Sequence, residues 1–145
     1  MRLVVQRVKK ASVSVNETCN KIKDGLVVFV GFTQGDNIDD IKYLIDKLIN
    51  LRIFGDDLGL MNKSVIDING EILSISQFTL YADCKKGRRP SFVSALKSDE
   101  ASILYDEFNR LLKEKINIKT GVFGGDMLIS LDNDGPVTII LESRS

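Results

Sequence analysis

Histidine does not occur anywhere in the 145 residues of this chain. Its absence removes the usual general base, the Ser-His-Asp and Cys-His nucleophile pairs, and the commonest ligand for zinc. Any hydrolase built on this sequence must work without imidazole, and neither a metal nor a cofactor is expected. Cysteine is scarce: Cys19 and Cys84 lie far apart, with no secretion signal before them, so two free thiols are expected and a disulfide is not. Long apolar runs are missing too. None approaches the roughly 18 residues that span a bilayer, and the opening MRLVVQRVKKASVSV breaks into alternation before it can form the apolar core of a signal peptide. A cytoplasmic location with no membrane partner is therefore expected. Net charge is absent as well, with 20 basic residues against 20 acidic ones. That balance argues against a protein that coats nucleic acid through a large counterion-release term, while leaving room for a local basic patch.

What is present is a globular composition, 43% hydrophobic and 28% charged, at a length suited to one domain covering residues 1–145. Valine-rich stretches at 2–8 and 12–15 and the apolar run 26–32 predict a small meander of strands. Ile38, Ile41, Leu44, Ile45, Leu48 and Leu51 then recur at helical spacing, with Asp36 as the expected N-cap. Asn69-Gly70 is a strong hairpin-turn signal, with a strand expected from Glu71 to about Leu80. A second helix is predicted over 99–115, capped by Ser98, with Ala101, Leu104, Tyr105, Phe108, Leu111 and Leu112 as its buried stripe. Strands at 118–120, 127–131 and 137–141 close the chain, the last two joined by a turn at 132–136. Strand blocks that bracket two helices predict an α/β domain. Its sheet is mixed, its two main helices pack on one side of a β-rich layer, and antiparallel strands lie at both ends.

Three segments could carry chemistry. Ser76, Gln77, Phe78 and Thr79 cluster hydroxyl and amide groups at the end of an apolar strand, where burial is costly unless something satisfies them. Serine and threonine also simply suit strands. Alternation sends Ser76 and Thr79 to opposite faces, so both can serve one pocket only if regular pairing stops near Phe78, which would also free backbone N–H groups there. The second segment, Asn133 to Thr138 with Gly135 and Pro136 at its centre, is turn chemistry by composition. The third gathers Lys85, Lys86, Arg88 and Arg89 within five residues, just before Phe92. It is either a solvated loop or a phosphate-contacting one.

Together these segments resemble the D-aminoacyl-tRNA deacylase family. QRV at 6–8 with ASVSV at 11–15, RIFGDDLGLMN at 52–62, SQFTL at 76–80, GRRPSF at 87–92, TGVFGGDM at 120–127 and NDGPVT at 133–138 stand in the family's order and spacing. The resemblance implies hydrolysis of the ester of D-aminoacyl-tRNA, and of mischarged glycyl-tRNA, as chiral proofreading. It implies an aminoacyl-tRNA partner and a homodimer in which SQFTL of one subunit faces Gly135-Pro136 of the other. The Gly-Pro peptide would be cis, with two carbonyl oxygens holding the substrate amino group and excluding an L side chain. Met127 would belong to the same substrate wall, where Gly124-Gly125 replace the alanines common in relatives.

Two mechanisms follow from that resemblance. In one, the Thr79 hydroxyl attacks the ester; in the other, water attacks while backbone N–H groups of Phe78 and Thr79 hold the oxyanion and the terminal ribose 2′-hydroxyl assists. No base for Thr79 is visible in the sequence, which favours water, with Ser76 and Gln77 shaping the site. The competing class is a non-catalytic nucleic-acid-binding protein that uses the basic loop at 85–89.

Overall fold

The computed structural model describes residues 1–144. A long strand β1 (Arg2–Val15) organises the sheet. One of its edges pairs antiparallel with β2 (Thr18–Ile22) through residues 11–15 and with β3 (Gly25–Gly31) through residues 2–8. Its other edge carries β8 (Leu128–Glu142), also antiparallel. Beyond β3 the pairing turns parallel, to β6 (Glu71–Ser76) and then β7 (Ile118–Thr120). Parallel neighbours need a long crossover. Helix α1 (Ile38–Asn50) lies in the β3 to β6 connection and α2 (Ser98–Lys113) in the β6 to β7 connection. Between α1 and β6 sits a two-stranded hairpin, β4 (Phe54–Gly55) and β5 (Met61–Lys63). The architecture is the expected mixed sheet with two helices.

Two apolar clusters hold it together. On the helical side, Leu3, Val5, Leu26, Val28 and Ile72 of the sheet meet Ile41, Leu44, Leu48, Phe108 and Leu112. On the opposite side the sheet curls on itself, so that Val13, Ile22, Val27, Leu73 and Ile75 form a second core without a helix. Asn20 fastens this curl by donating to the Thr120 carbonyl at 2.6 Å. Burial alternates along β1 because one face meets the helices, whereas β3 is buried on almost every residue, as a strand covered on both faces must be.

The local expectations fail where a tertiary partner outranks a local signal. The two stretches 2–8 and 12–15 are one strand, bulged where Lys9 and Lys10 face Asp132. Asn69-Gly70 closes no hairpin: Ser64 and Asp67 cap each other's backbone N–H and start a helical turn, which the Gly70 N–H to Val65 carbonyl bond ends. The N-cap of α1 is Asn37 and not Asp36, and Asn37 forms a reciprocal capping box with Asp40. Helix α2 starts one residue early, with Lys97 at the N-cap position and no side-chain cap bond. Leu104 and Leu111 are half-buried partners of the α2 stripe. The expected strand to Leu80 ends at Ser76, and the turn expected at 132–136 lies inside the single strand β8.

The chain ends are tied to the start of α1. The Met1 ammonium donates to Asp36 at 2.6 Å, and the Arg144 guanidinium reaches Asp40 at 2.9 Å, Asp36 at 3.1 Å and the Gly35 carbonyl. The hydrogen bond from Arg144, joined by others from Ser143 and the Asn37 backbone, holds the buried Asp40 carboxyl well below the usual carboxylate range. A depressed carboxyl contributes stability above its unfolded value, near pH 4, and loses it as pH falls further. Arg144→Ala should therefore lower stability at pH 7. Urea unfolding should show that difference shrinking as pH falls below about 4, because Asp40 in the folded variant protonates first and in the folded wild type only at lower pH.

Candidate active site

Regular pairing of β6 stops at Ser76, and Phe78–Tyr81 winds into a short 3-10 helix. The switch from extended to helical backbone brings residues that alternation would have separated to one end of the sheet. The Gln77 N–H still pairs with the Val30 carbonyl at 2.8 Å, and the Leu80 N–H turns back to the Gln77 carbonyl. The N–H groups of Phe78 and Thr79, first in the 3-10 helix, have no acceptor among the described residues. Two adjacent unpaired donors at a helical start make a small positive pole.

Phe78 lines a cleft of about 780 Å³, and Thr79 follows it just outside that lining. Ser76, Gln77 and Phe78 form one wall, and residues 123–127, ending in Met127, form another. The segment 92–97 and the first turn of α2 complete the lining. The second wall is seated from beneath: the Tyr105 hydroxyl donates to the Ser74 carbonyl at 2.8 Å, and the Tyr105 ring packs against Phe123 at 5.9 Å between centroids. Burial pushes the Tyr105 phenol up, so it stays a neutral donor. Gly121 leaves room for Met127, since a Cβ there would lie 2.4 Å from the Met127 sulfur. The Gly125 N–H closes the Gly-Gly turn on the Val122 carbonyl at 3.0 Å.

Thr79 is exposed and does not line the cleft. Its hydroxyl oxygen accepts from the Gln77 amide at 2.6 Å, and no basic or carboxylate group bonds to it. A hydroxyl whose lone pair is engaged and whose proton has no acceptor is a poor nucleophile.

The basic segment forms a loop closed by paired backbone bonds between Asp83 and Ser91, 2.8 and 2.9 Å long. Lys85, Lys86, Arg88 and Arg89 are all exposed on it. Immediately after the closure, Phe92 packs edge-on against Phe78, with centroids 5.0 Å apart. The sequence left this loop's position open; in the structure it ends next to Phe92, which lines the cleft.

Gly135 and Pro136 do not line that cleft. They belong to a bulge in β8. Gln6 pairs with Thr138 and Val8 with Asn133, so the single residue Arg7 faces four residues, 134–137. An edge strand tolerates proline at such a place. Gly135 sits at φ +124, and the Gly135–Pro136 bond is cis. Three contacts pin the bulge. Asn133 Oδ1 accepts from the Val137 N–H at 3.0 Å, Val137 is buried in the core, and Arg7 Nε donates to the Asp134 carbonyl at 3.1 Å. Arg7 also reaches the Ile53 carbonyl with Nη1 at 2.5 Å and the Asp134 carboxylate at 3.3 Å. Sequence reasoning gave Arg7 and Asn133 no role. Nothing local marks an arginine in an alternating strand as the clamp of a bulge 127 residues away.

Comparison with known proteins finds relatives over nearly the whole chain. The family described as D-Tyr-tRNA(Tyr) deacylase matches residues 4–142. A D-aminoacyl-tRNA deacylase of Clostridium novyi (strain NT) is 53% identical over 146 residues, covering 99% of this chain and 98% of that protein. The D-aminoacyl-tRNA deacylase of Clostridium tetani (strain Massachusetts / E88) matches to the same extent. Among solved structures, one described as c-Myc DNA Unwinding Element Binding Protein superposes with a TM-score of 0.95 at 39% identity, over 100% of both chains. A probable eukaryotic D-amino acid tRNA deacylase shares the fold, with a TM-score of 0.84 at 19% identity over 97% of this chain and 98% of that one.

Proposed function

Because the chain belongs to the D-Tyr-tRNA(Tyr) deacylase family, we propose that it hydrolyses the ester bond of D-aminoacyl-tRNA, releasing the free amino acid and tRNA in proofreading of translation. The observation that carries this reading is the pair of unpartnered N–H groups on Phe78, which lines the cleft, and on Thr79, the residue after it. An aminoacyl ester is already labile, so oriented donors suffice where a strong nucleophile is lacking. Water attacks the carbonyl carbon, the tetrahedral oxyanion rests on the two N–H groups, and the bond to the ribose oxygen breaks with its proton supplied through the neighbouring 2′-hydroxyl. Ser76 and Gln77 shape the wall, and Met127 faces them. Glycyl-tRNA is cleaved too, since glycine has no side chain to exclude. Single-turnover hydrolysis of D-Tyr-tRNA against L-Tyr-tRNA tests the reading: cleavage of the first with sparing of the second is expected, and equal rates would refute it.

The reading includes a homodimer. Gly135-Pro136 lies outside its own cleft, so its carbonyls serve a substrate amino group only if they enter a partner's. The support is β8 itself, a 15-residue strand with one edge unpaired among the described residues and with Leu128 and Ile140 largely exposed. Native proteins seldom leave such an edge open. No helix among the described residues is long and apolar enough to cross a membrane, and a cytoplasmic, single-domain enzyme fits a tRNA substrate.

Thr79 in this scheme contributes its N–H and not its hydroxyl. Thr79→Ala should retain most of the activity, whereas an acyl acceptor would lose nearly all of it; an acyl group trapped on Thr79 would overturn the water mechanism. In this reading the acceptor end of tRNA passes the loop at 85–89, which adjoins Phe92 of the cleft lining. Neutralising Lys86 and Arg88 should weaken tRNA binding and reduce the log-log salt slope by roughly 0.7–0.9 for each phosphate that is no longer neutralised. An unchanged slope would place the loop away from RNA. A purely nucleic-acid-binding role is less favoured, because it leaves the unpaired donors beside the cleft without a purpose.

A further inference from the structure

The proposed dimer brings one more element of each subunit toward the partner's cleft. Residues 56–61, the tip of the β4–β5 hairpin, form a tightly held turn. The Asp56 N–H donates to the Leu60 carbonyl at 2.8 Å and the Gly59 N–H to the Asp56 carbonyl at 3.0 Å. The Asp56 carboxylate also accepts the N–H groups of Leu58 and Leu60 at 2.9 and 3.0 Å. This fixed scaffold presents Leu58, Leu60 and Met61 to solvent at 83%, 63% and 57% exposure. Single exposed leucines are ordinary, but three large apolar side chains on one fixed turn form a surface.

The tip is mechanically one piece with the bulge. Gly55, Gly59 and Met61 line a single groove together with Arg7 and Asp134, and Arg7 bonds both to Asp134 and to Ile53, which precedes β4. Wherever Gly135-Pro136 goes, the tip goes beside it. Around the cleft mouth, the counterpart surface is also apolar and exposed: Phe78, and Val93 at 84%. Charge is compatible as well: the tip carries the fully exposed Asp57 carboxylate, which lies 3.8 Å from Lys63 of its own hairpin, and the cleft rim carries exposed Lys97.

We propose that the Asp56–Met61 tip docks on a second copy of this chain, its leucines covering the Phe78–Val93 lip of the partner's cleft and shielding the bound ester from bulk solvent, with room left for the attacking water. The proposal rests on the dimer reading above. An isologous interface makes the contact twice, so both exposed patches are buried at both sites.

The test separates this proposal from the reading beneath it. If the unmodified protein sediments as a monomer and is active as one, the dimer reading itself fails. If it is a dimer, the double variant Leu58→Asp/Leu60→Asp, confined to an exposed turn, should lower single-turnover deacylation roughly tenfold, as loss of a central apolar anchor does at interfaces. Mixing it with a Phe78→Pro subunit, whose tip is intact and whose oxyanion site is impaired, should restore about a quarter of the full activity, because half the dimers then carry one complete site. No restoration in mixed dimers would overturn the proposal. A cross-link provides a check that does not depend on activity. In a background of Cys19→Ser and Cys84→Ser, Leu60→Cys with Val93→Cys should form a disulfide between subunits on mild oxidation. An intact dimer without that disulfide would overturn the proposal as well.

Discussion

Replacing Gly135 with alanine should lower D-aminoacyl-tRNA hydrolysis by about two orders of magnitude while the protein remains folded, because a displacement near 1 Å at a reacting centre costs on that scale. At φ +124 an L side chain is strained wherever it points. A Cβ would also stand 2.9 Å from Arg7 Nη2 and 3.0 Å from Val137 Cγ2. Val137 is fixed in the core, so the Arg7 guanidinium must yield, and with it the hydrogen bond to the Asp134 carbonyl that holds the bulge. In the proposed dimer the substrate's ammonium then loses the carbonyls that would hold it. Single-turnover rates with D-Tyr-tRNA, compared at equal melting temperature, check this. A wild-type rate would place amino-group recognition elsewhere, with Met127 the next candidate.

The second large effect concerns a backbone atom. Phe78 is the first residue of the 3-10 helix, a position where proline fits because its missing N–H would make no helical bond. Phe78→Pro removes one of the two oxyanion donors and should reduce the rate of the chemical step by about 10²–10³. The side chain is removed as well, together with its edge-on packing against Phe92. Phe78→Ala is therefore the control. It keeps the N–H, and its loss of rate should be at least tenfold smaller than that of the proline variant, each tenfold step being about 1.4 kcal/mol of barrier. Equal losses of rate in the two variants would mean that the ring, and not the backbone donor, does the stabilising.

Beside these two variants, Thr79→Ala is discriminating because its expected effect is small. The same residue supplies an N–H that should matter and a hydroxyl that should not. The Gln77 amide already occupies that hydroxyl's oxygen at 2.6 Å.

The sequence by itself determined the two helices, much of the strand content and the chemistry available. Apolar spacing marked α1 and α2 because a helix's buried stripe repeats locally, every three or four residues, and such a signal survives without any partner. The missing histidine limited the mechanism before any coordinate was known. The polar run at 76–79 marked a candidate site but not the end of β6, which was expected to reach Leu80 and stops at Ser76. Only the tertiary structure decided the rest. Whether Asn69-Gly70 turns a hairpin depends on a strand being upstream, and Ser64 with Asp67 makes a helical turn there instead. Whether 132–136 is a turn or a bulge depends on β1, whose long edge keeps both halves of β8 in one ladder and extrudes Gly135-Pro136 opposite Arg7. Pairing register and the clamp across it join residues more than a hundred positions apart, and no local pattern encodes that separation.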